Sequence, residues 1–354
     1  MVTEAGRAAF PLKLWQKRPG PLALLGSALV GVVLFWLAEN FARGPSYFIQ
    51  ILLLGLTTGA VYGLIALGYT LVYGILELIN FAHGDVFMLG AMISYWFIAD
   101  VFHLSASPSV GSLLPAVVLT LLAVMACCAL INITIERIAY RPLRHAPRLA
   151  PLITAIAASF ILEDIALAQT GAGYEALPSN TLPGGKVFSI GGVDYTWDKL
   201  IVILITIPVL VGLVWLVQRT RRGKAMRATA QDREAAAMMG INVNRTIAFT
   251  FGIAGALAGA AGLLWMLYFT SIRYDSGFQL GLIAFTAAVV GGIGNLSGAV
   301  LGGLLIGLIE AFNTGLTWHS PGGNWTESIV FSILILILVF RPEGLLGERT
   351  PEGG

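Results

Sequence analysis

The sequence predicts an all-α polytopic membrane protein with eight to ten spanning helices, some short or broken, and both termini cytoplasmic. Three observations carry this reading. Apolar residues make up 57% of the 354 and charged residues only 11%, against about 25% charged in a soluble domain. The apolar stretches are long and unbroken, which suits spanning helices and not the alternating strands of a barrel. The cations also segregate to one side once the stretches are taken as crossings.

Apolar runs fall at about 22–38, 48–76, 78–98, 113–135, 150–170, 200–218, 246–269, 280–293, 298–312 and 328–340. The first follows Lys13, Lys17 and Arg18. It is longer than a signal-peptide core and no small-x-small cleavage site follows, so it reads as a retained helix. A span needs about 20 residues, so 280–312 is tight for two. The count is ten crossings if both are real, eight if that pair is re-entrant. Either number puts the termini on one side. With the N-terminus inside, 17 Lys and Arg fall in inner segments. Only Arg43, Lys186, Lys199 and Arg273 fall outside. That excess fixes the orientation.

The remaining features are local. Cys127 and Cys128 are adjacent in an apolar run, so they point apart and read as small core residues, with no metal site expected. The outer segment at about 171–198 is rich in turn residues, and KVFSI within it reads as a short strand. His145 reads as a solvated loop residue. Glu163 and Asp164 either pair with Arg or lie toward the outer face. No Walker A sequence, H-E-x-x-H or G-x-S-x-G occurs, so no catalytic residue and no cofactor is expected. Energy for uphill transport then comes from a partner or an ion gradient. A net charge of +2 points to no nucleic-acid partner.

The inner segment 219–245 reads RTRRGKAMRATAQDREAAAMMGINVNR. Ala225 to Met239 are strong helix formers, and Gly240 is placed to end the helix in a left-handed turn. Small residues allow close approach, and methionine adapts to a partner groove. A helix resting on the bilayer would show bulky Leu, Phe or Trp on one face, and this one has none. A protein-docking helix is therefore expected.

ELINFAHGDVFMLG (77–90) places Glu77, Asn80, His83 and Asp85 between two apolar runs. On a continuous helix His83 and Asp85 diverge by about 200°, and Gly84 favours a local break. Two readings stand. A broken helix can line a transport route, or the stretch is a hydrated inner turn. A second break occurs at GGIGNLSG (291–298), with Asn295 and Ser297. Two such breaks, one per half, suit an internally duplicated transporter with both flanking the inner gate.

Glu234-Ala235-Ala236-Ala237-Met238-Met239-Gly240 resembles the EAA-x-x-x-G pattern of ABC importer membrane subunits. Residues 55–91, 139–164, 289–310 and 339–347 resemble successive blocks of the branched-chain amino acid ABC permeases of LivH type. The resemblance covers about 46–347. It leaves 1–45 as an N-terminal cytoplasmic segment with an extra helix, and 348–354 as a cytoplasmic tail. It implies a permease subunit in a bacterial inner membrane that carries leucine, isoleucine or valine. Two cytoplasmic ATPase subunits, a second related permease and a periplasmic binding protein are its implied partners, with membrane lipid around it. Asp232, Arg233, Glu234, Ala235, Ala236, Met239 and Gly240 would form the ATPase-coupling loop. Asn80, His83, Gly84, Asp85, Asn295 and Ser297 are the candidate pathway or gate residues. Urea, short amides or other amino acids are alternative cargoes. A proton-driven secondary transporter working through Asp85 and His83 is the alternative of a different class.

Overall fold

The computed structural model describes residues 21–104, 110–144, 146–147, 149–178, 181–182 and 185–347. His145 lies outside them. The chain divides into two compact units, Met1–Pro45 and Ser46–Gly354. The first contributes α1 (Pro21–Arg43), which opens on a proline, where the missing N–H costs nothing, and closes on an Arg43–Glu39 pair at 3.5 Å.

The second unit is built on helices. They are α2 (Pro45–Leu76), α3 (His83–Trp96, continued by a wider turn over Phe97–Val101), α4 (Val110–Ile135), α5 (Leu149–Thr170) and α6 (Trp197–Arg219). Then come α7 (Arg221–Gln231), α8 (Arg233–Met238), α9 (Val243–Phe269), α10 (Ser276–Gly291), α11 (Leu296–Gly315) and α12 (Thr326–Phe340). Among the described residues eight are long and apolar enough to cross a membrane, namely α2 to α6, α9, α11 and α12. The protein is an all-α polytopic membrane protein. At 16 residues, α10 spans about 24 Å, short of the roughly 30 Å hydrocarbon core.

The few strands lie at one end. β1 (Tyr174–Ala176) pairs antiparallel with β4 (Ser271–Arg273). The KVFSI stretch forms β2 (Lys186–Ile190), a hairpin with β3 (Val193–Thr196). The other end gathers 75–78, Leu143, Arg144, Ala146, Pro151 and 229–234 around one cavity, with Arg233 also among its lining residues.

The core is α2, α3, α9, α10 and α11. Glycine lets these backbones meet. A Cβ on Gly59 of α2 would lie 2.7 Å from the Leu304 Cα of α11. Without a solvophobic drive between helices in lipid, such close packing supplies much of the association energy.

Two helices begin inside this core. His83, the first residue of α3, lies against Gly68 of α2, eight positions or about 12 Å before α2 ends at Leu76. Residues 77–82 therefore turn back into the bundle without helix. α10 begins inside as well. α9 runs beside α3 with Gly259 against Gly90, and ends ten positions further on, about 15 Å. From there 270–275 returns alongside α9, where the Trp265 Nε1 donates to the Ser271 carbonyl at 3.1 Å. The head of α10 then meets the head of α3, with Gly277 against Asp85 and Met88 and Gly281 against Gly84. The two helices cross antiparallel, one entered from each end of the bundle.

Two expectations are revised here. The break lies at 77–82 and not at Gly84, which is helical; Gly84 is small so that α10 fits against it. The counterpart of that break is 270–275, not GGIGNLSG. The latter is a tight turn between α10 and α11, with Gly292 at φ +108° and Gly294 at φ +95°. The chain near the C-terminus braces it: the Leu345 and Leu346 amides donate to the Val290 and Gly291 carbonyls, each at 2.9 Å.

Candidate functional site

The polar residues of the first break are held in three directions. The Asn80 amide donates to the Asn132 Oδ1 of α4 at 3.3 Å, and its own oxygen accepts from the Tyr140 hydroxyl at 3.1 Å. Asn132 in turn donates to the Phe251 carbonyl of α9 at 2.7 Å. The His83 ring lies edge-on to Tyr69, centroids 4.7 Å apart. Asp85 points the other way, as a helical separation of two residues requires, and accepts from the Ser159 hydroxyl of α5.

Asn80, His83 and Asp85 are buried, while Glu77 is exposed. The hydrated-turn reading therefore suits Glu77 and not the other three. The Asp85 carboxylate sits in the first turn of α3 and against the first turn of α10. Both helix N-termini carry partial positive charge, so each favours an anion there. A Cβ on Gly84 would lie 2.7 Å from the Gly281 Cα, so nothing larger than glycine fits the crossing as it stands.

Asn295 and Ser297 sit elsewhere. Asn295 caps α11, accepting from the Gly298 amide at 3.0 Å and donating to the Leu346 carbonyl at 2.8 Å. Ser297 is exposed. Gly294 next to them faces Gly74 near the end of α2, so this turn lies closer to the arginine-rich end than His83 does. Ser159, Asn132, Tyr140 and Gly277 were missed from sequence. Asn132 had a signal, as the one side-chain amide in the apolar run at 113–135. Ser159 and Gly277 had none, because their significance exists only once α5 and α10 meet α3.

The second candidate region is at the arginine-rich end. The expected single helix over 225–239 is two helices. Asp232 separates them in an extended conformation (φ −156°, ψ 115°). Its carboxylate accepts from the Glu234 and Ala235 amides at 2.8 and 2.9 Å, a cap worth about 1 kcal/mol. α8 ends as its glycine predicts. Gly240 has φ +81°, its amide donates to the Ala237 carbonyl, and the Ile241 amide donates to the Ala236 carbonyl, each at 3.0 Å. This is the double hydrogen-bond closure that favours glycine at the left-handed position. Ala236 is buried, and Glu234 and Ala237 face outward. Met238 and Met239 are 82% and 83% exposed, so two adaptable apolar side chains project from a helix with none of its own core to bury them.

The surroundings of α8 are ionic. The Arg233 guanidinium donates to the Ile75 carbonyl at 2.7 Å. Arg144 pairs with the buried Glu136 and donates to the Asn244 Oδ1 at 2.6 Å. Burial holds the Arg144 guanidinium below its ordinary value, while Glu136 pulls it the other way. Among the described residues no group of His, Cys, Asp and Glu is arranged to hold a metal ion.

A family described as the permease component of the branched-chain amino acid transport system matches residues 51–339. The high-affinity branched-chain amino acid transport system permease protein BraD of Pseudomonas aeruginosa is 42% identical, over 86% of this chain and 98% of its own length. The LivH permease protein of that transport system in Escherichia coli K12 is 38% identical over 86% and 97%. A probable branched-chain amino acid permease of Methanocaldococcus jannaschii is 28% identical over 80% and 88%.

Proposed function

The chain belongs to the family of branched-chain amino acid transport permease components, and from that premise we propose that it carries leucine, isoleucine or valine across a bacterial inner membrane as one permease of an ABC importer. Two ATPase subunits dock on α8 at the cytoplasmic, arginine-rich end and supply the energy. A periplasmic binding protein delivers the amino acid at the opposite end, and a second related permease completes the membrane unit. Both termini are cytoplasmic. Residues 46–347 are the transmembrane domain, 1–45 an added segment with its own helix, and 348–354 a tail.

The observation that carries the docking assignment is the exposed Met238–Met239 pair on a capped, six-residue helix beside Glu234. Glu234→Lys or Gly240→Pro leaves the protein in the membrane but uncouples ATPase activity from uptake. Gly240→Pro acts through the backbone, since proline cannot take φ +81° or donate the Gly240 hydrogen bond. Normal uptake by both variants removes the assignment.

The crossing of α3 and α10 is the gate. His83 and Asp85 lie at its head, Asn80 steadies the segment that feeds it, and Asn295 with Ser297 flanks the exit at the arginine-rich end. Cysteines placed at positions 80, 83, 85, 295 and 297 should become reachable from a water-filled route in one access state. If none is reachable in any state, the gate lies elsewhere.

A further inference from the structure

One side chain ties α8 to the end of α2. α2 ends at Leu76, and its last carbonyls lack helical partners, as at any helix C-terminus. The Tyr73 carbonyl is taken by the Glu77 amide at 2.7 Å, with Glu77 in a left-handed conformation at φ +55°. The Ile75 carbonyl is taken by Arg233 of α8 at 2.7 Å. A cation at a helix C-terminus also meets the negative end of the helix dipole.

The space around this bond is open. Residues 75–78, Leu143, Arg144, Ala146, Pro151 and residues 229–234 line a cavity of about 370 Å³. The guanidinium therefore bridges two elements that do not pack densely there. Arg233 lies next to Asp232, the extended residue between α7 and α8, so the bond to α2 is made at the very start of α8. On the other side, Ile75 lies two residues before Glu77, where the chain turns back toward Asn80 and the head of α3. That segment is tied at Asn80 to α4 and to Tyr140.

We propose that Arg233 is the strut that transmits displacement of α8 to the 77–82 segment, and through it to the crossing of α3 and α10. The inference rests on the docking role of α8 given above. Arg233 is a positioning residue: it touches neither cargo nor nucleotide, and acts by holding the end of α2 to the helix that the ATPase moves.

Arg233→Gln and Arg233→Lys in the full complex of both permeases and two ATPases test it, with Glu234→Lys as the docking control. For Arg233→Gln, ATPase co-purification should stay within twofold of the parent while amino acid carried per ATP hydrolysed falls about tenfold. Arg233→Lys should recover most of that ratio, because a single ammonium donor suffices for a single carbonyl. Spin labels at positions 77 and 241, the latter just past the end of α8 and outside the docking residues, should keep one narrow distance distribution through the nucleotide cycle in the parent and a broad one in Arg233→Gln. An unchanged ratio in Arg233→Gln overturns the strut, as does an unchanged distance distribution. Loss of co-purification in Arg233→Gln also overturns it and makes Arg233 a docking residue. Full co-purification and coupling in Glu234→Lys instead overturns the docking reading itself.

Discussion

Asp85 shows what one residue can reveal and conceal. Its presence between apolar runs marked it from the sequence alone, because an acid at that depth is costly unless held. Its holder, Ser159, was invisible, since 74 residues separate them. Ser159→Ala leaves the buried carboxylate short of its hydroxyl donor and should cost about 1–3 kcal/mol, read as a lower melting temperature in detergent. Gly84 was legible as special but for the wrong reason. Its sequence context suggested a break, whereas the helix continues through it and the glycine serves the contact with Gly281. Gly84→Val overfills that crossing and should cost about 1–3 kcal/mol or more, with uptake lost together with thermal stability. At the exposed hairpin, hydrogen bonds from Lys186 and Ser189 hold the Asp194 carboxyl below its ordinary value. A depressed folded value means this contribution is present above the unfolded value near about 3.9 and is lost as pH falls through the lower folded one. Amide exchange in β2 and β3 should therefore quicken as pH falls through the acid range, after correction for intrinsic rates. Asp194→Asn should abolish that dependence.

At the scale of elements, all ten apolar runs correspond to helices, because length and hydropathy together leave a spanning segment no other structure. Boundaries were less legible where a single polar residue decides them. Asp232 sits within a run of strong helix formers, and propensity alone carried the helix through it. The structure shows its side chain accepting from the Glu234 and Ala235 amides instead, which ends one helix and starts another. Asp232→Ala should cost about 1 kcal/mol and weaken ATPase docking, measured as reduced co-purification. The connection after α4 depends on an ion pair in the same way. Glu136 has 1% of its side chain exposed and Arg144 10%. Arg144→Ala strands a buried carboxylate and should cost about 3–5 kcal/mol, seen as failure to accumulate a monodisperse protein.

At the scale of the whole molecule, the succession of apolar helices is legible in hydropathy, but the inverted pair of broken helices is not. The sequence marks the first break through Asn80, Gly84 and Asp85. It masks the second, since TSIRYD (270–275) reads as an ordinary loop carrying Arg273 and Asp275. Only the packing of α10 against α3 shows that this loop descends into the bundle. The two breaks bring two helix heads together in one crossing, and the Arg233 hydrogen bond to Ile75 ties α8 to the end of α2 just before 77–82. The direct measurement is uptake of labelled leucine, isoleucine and valine into proteoliposomes that contain this chain, its sister permease, the two ATPases and the binding protein. The account predicts accumulation that requires hydrolysable ATP on the cytoplasmic side and persists when a protonophore collapses the gradient. Accumulation driven by an imposed proton gradient without ATP would contradict it.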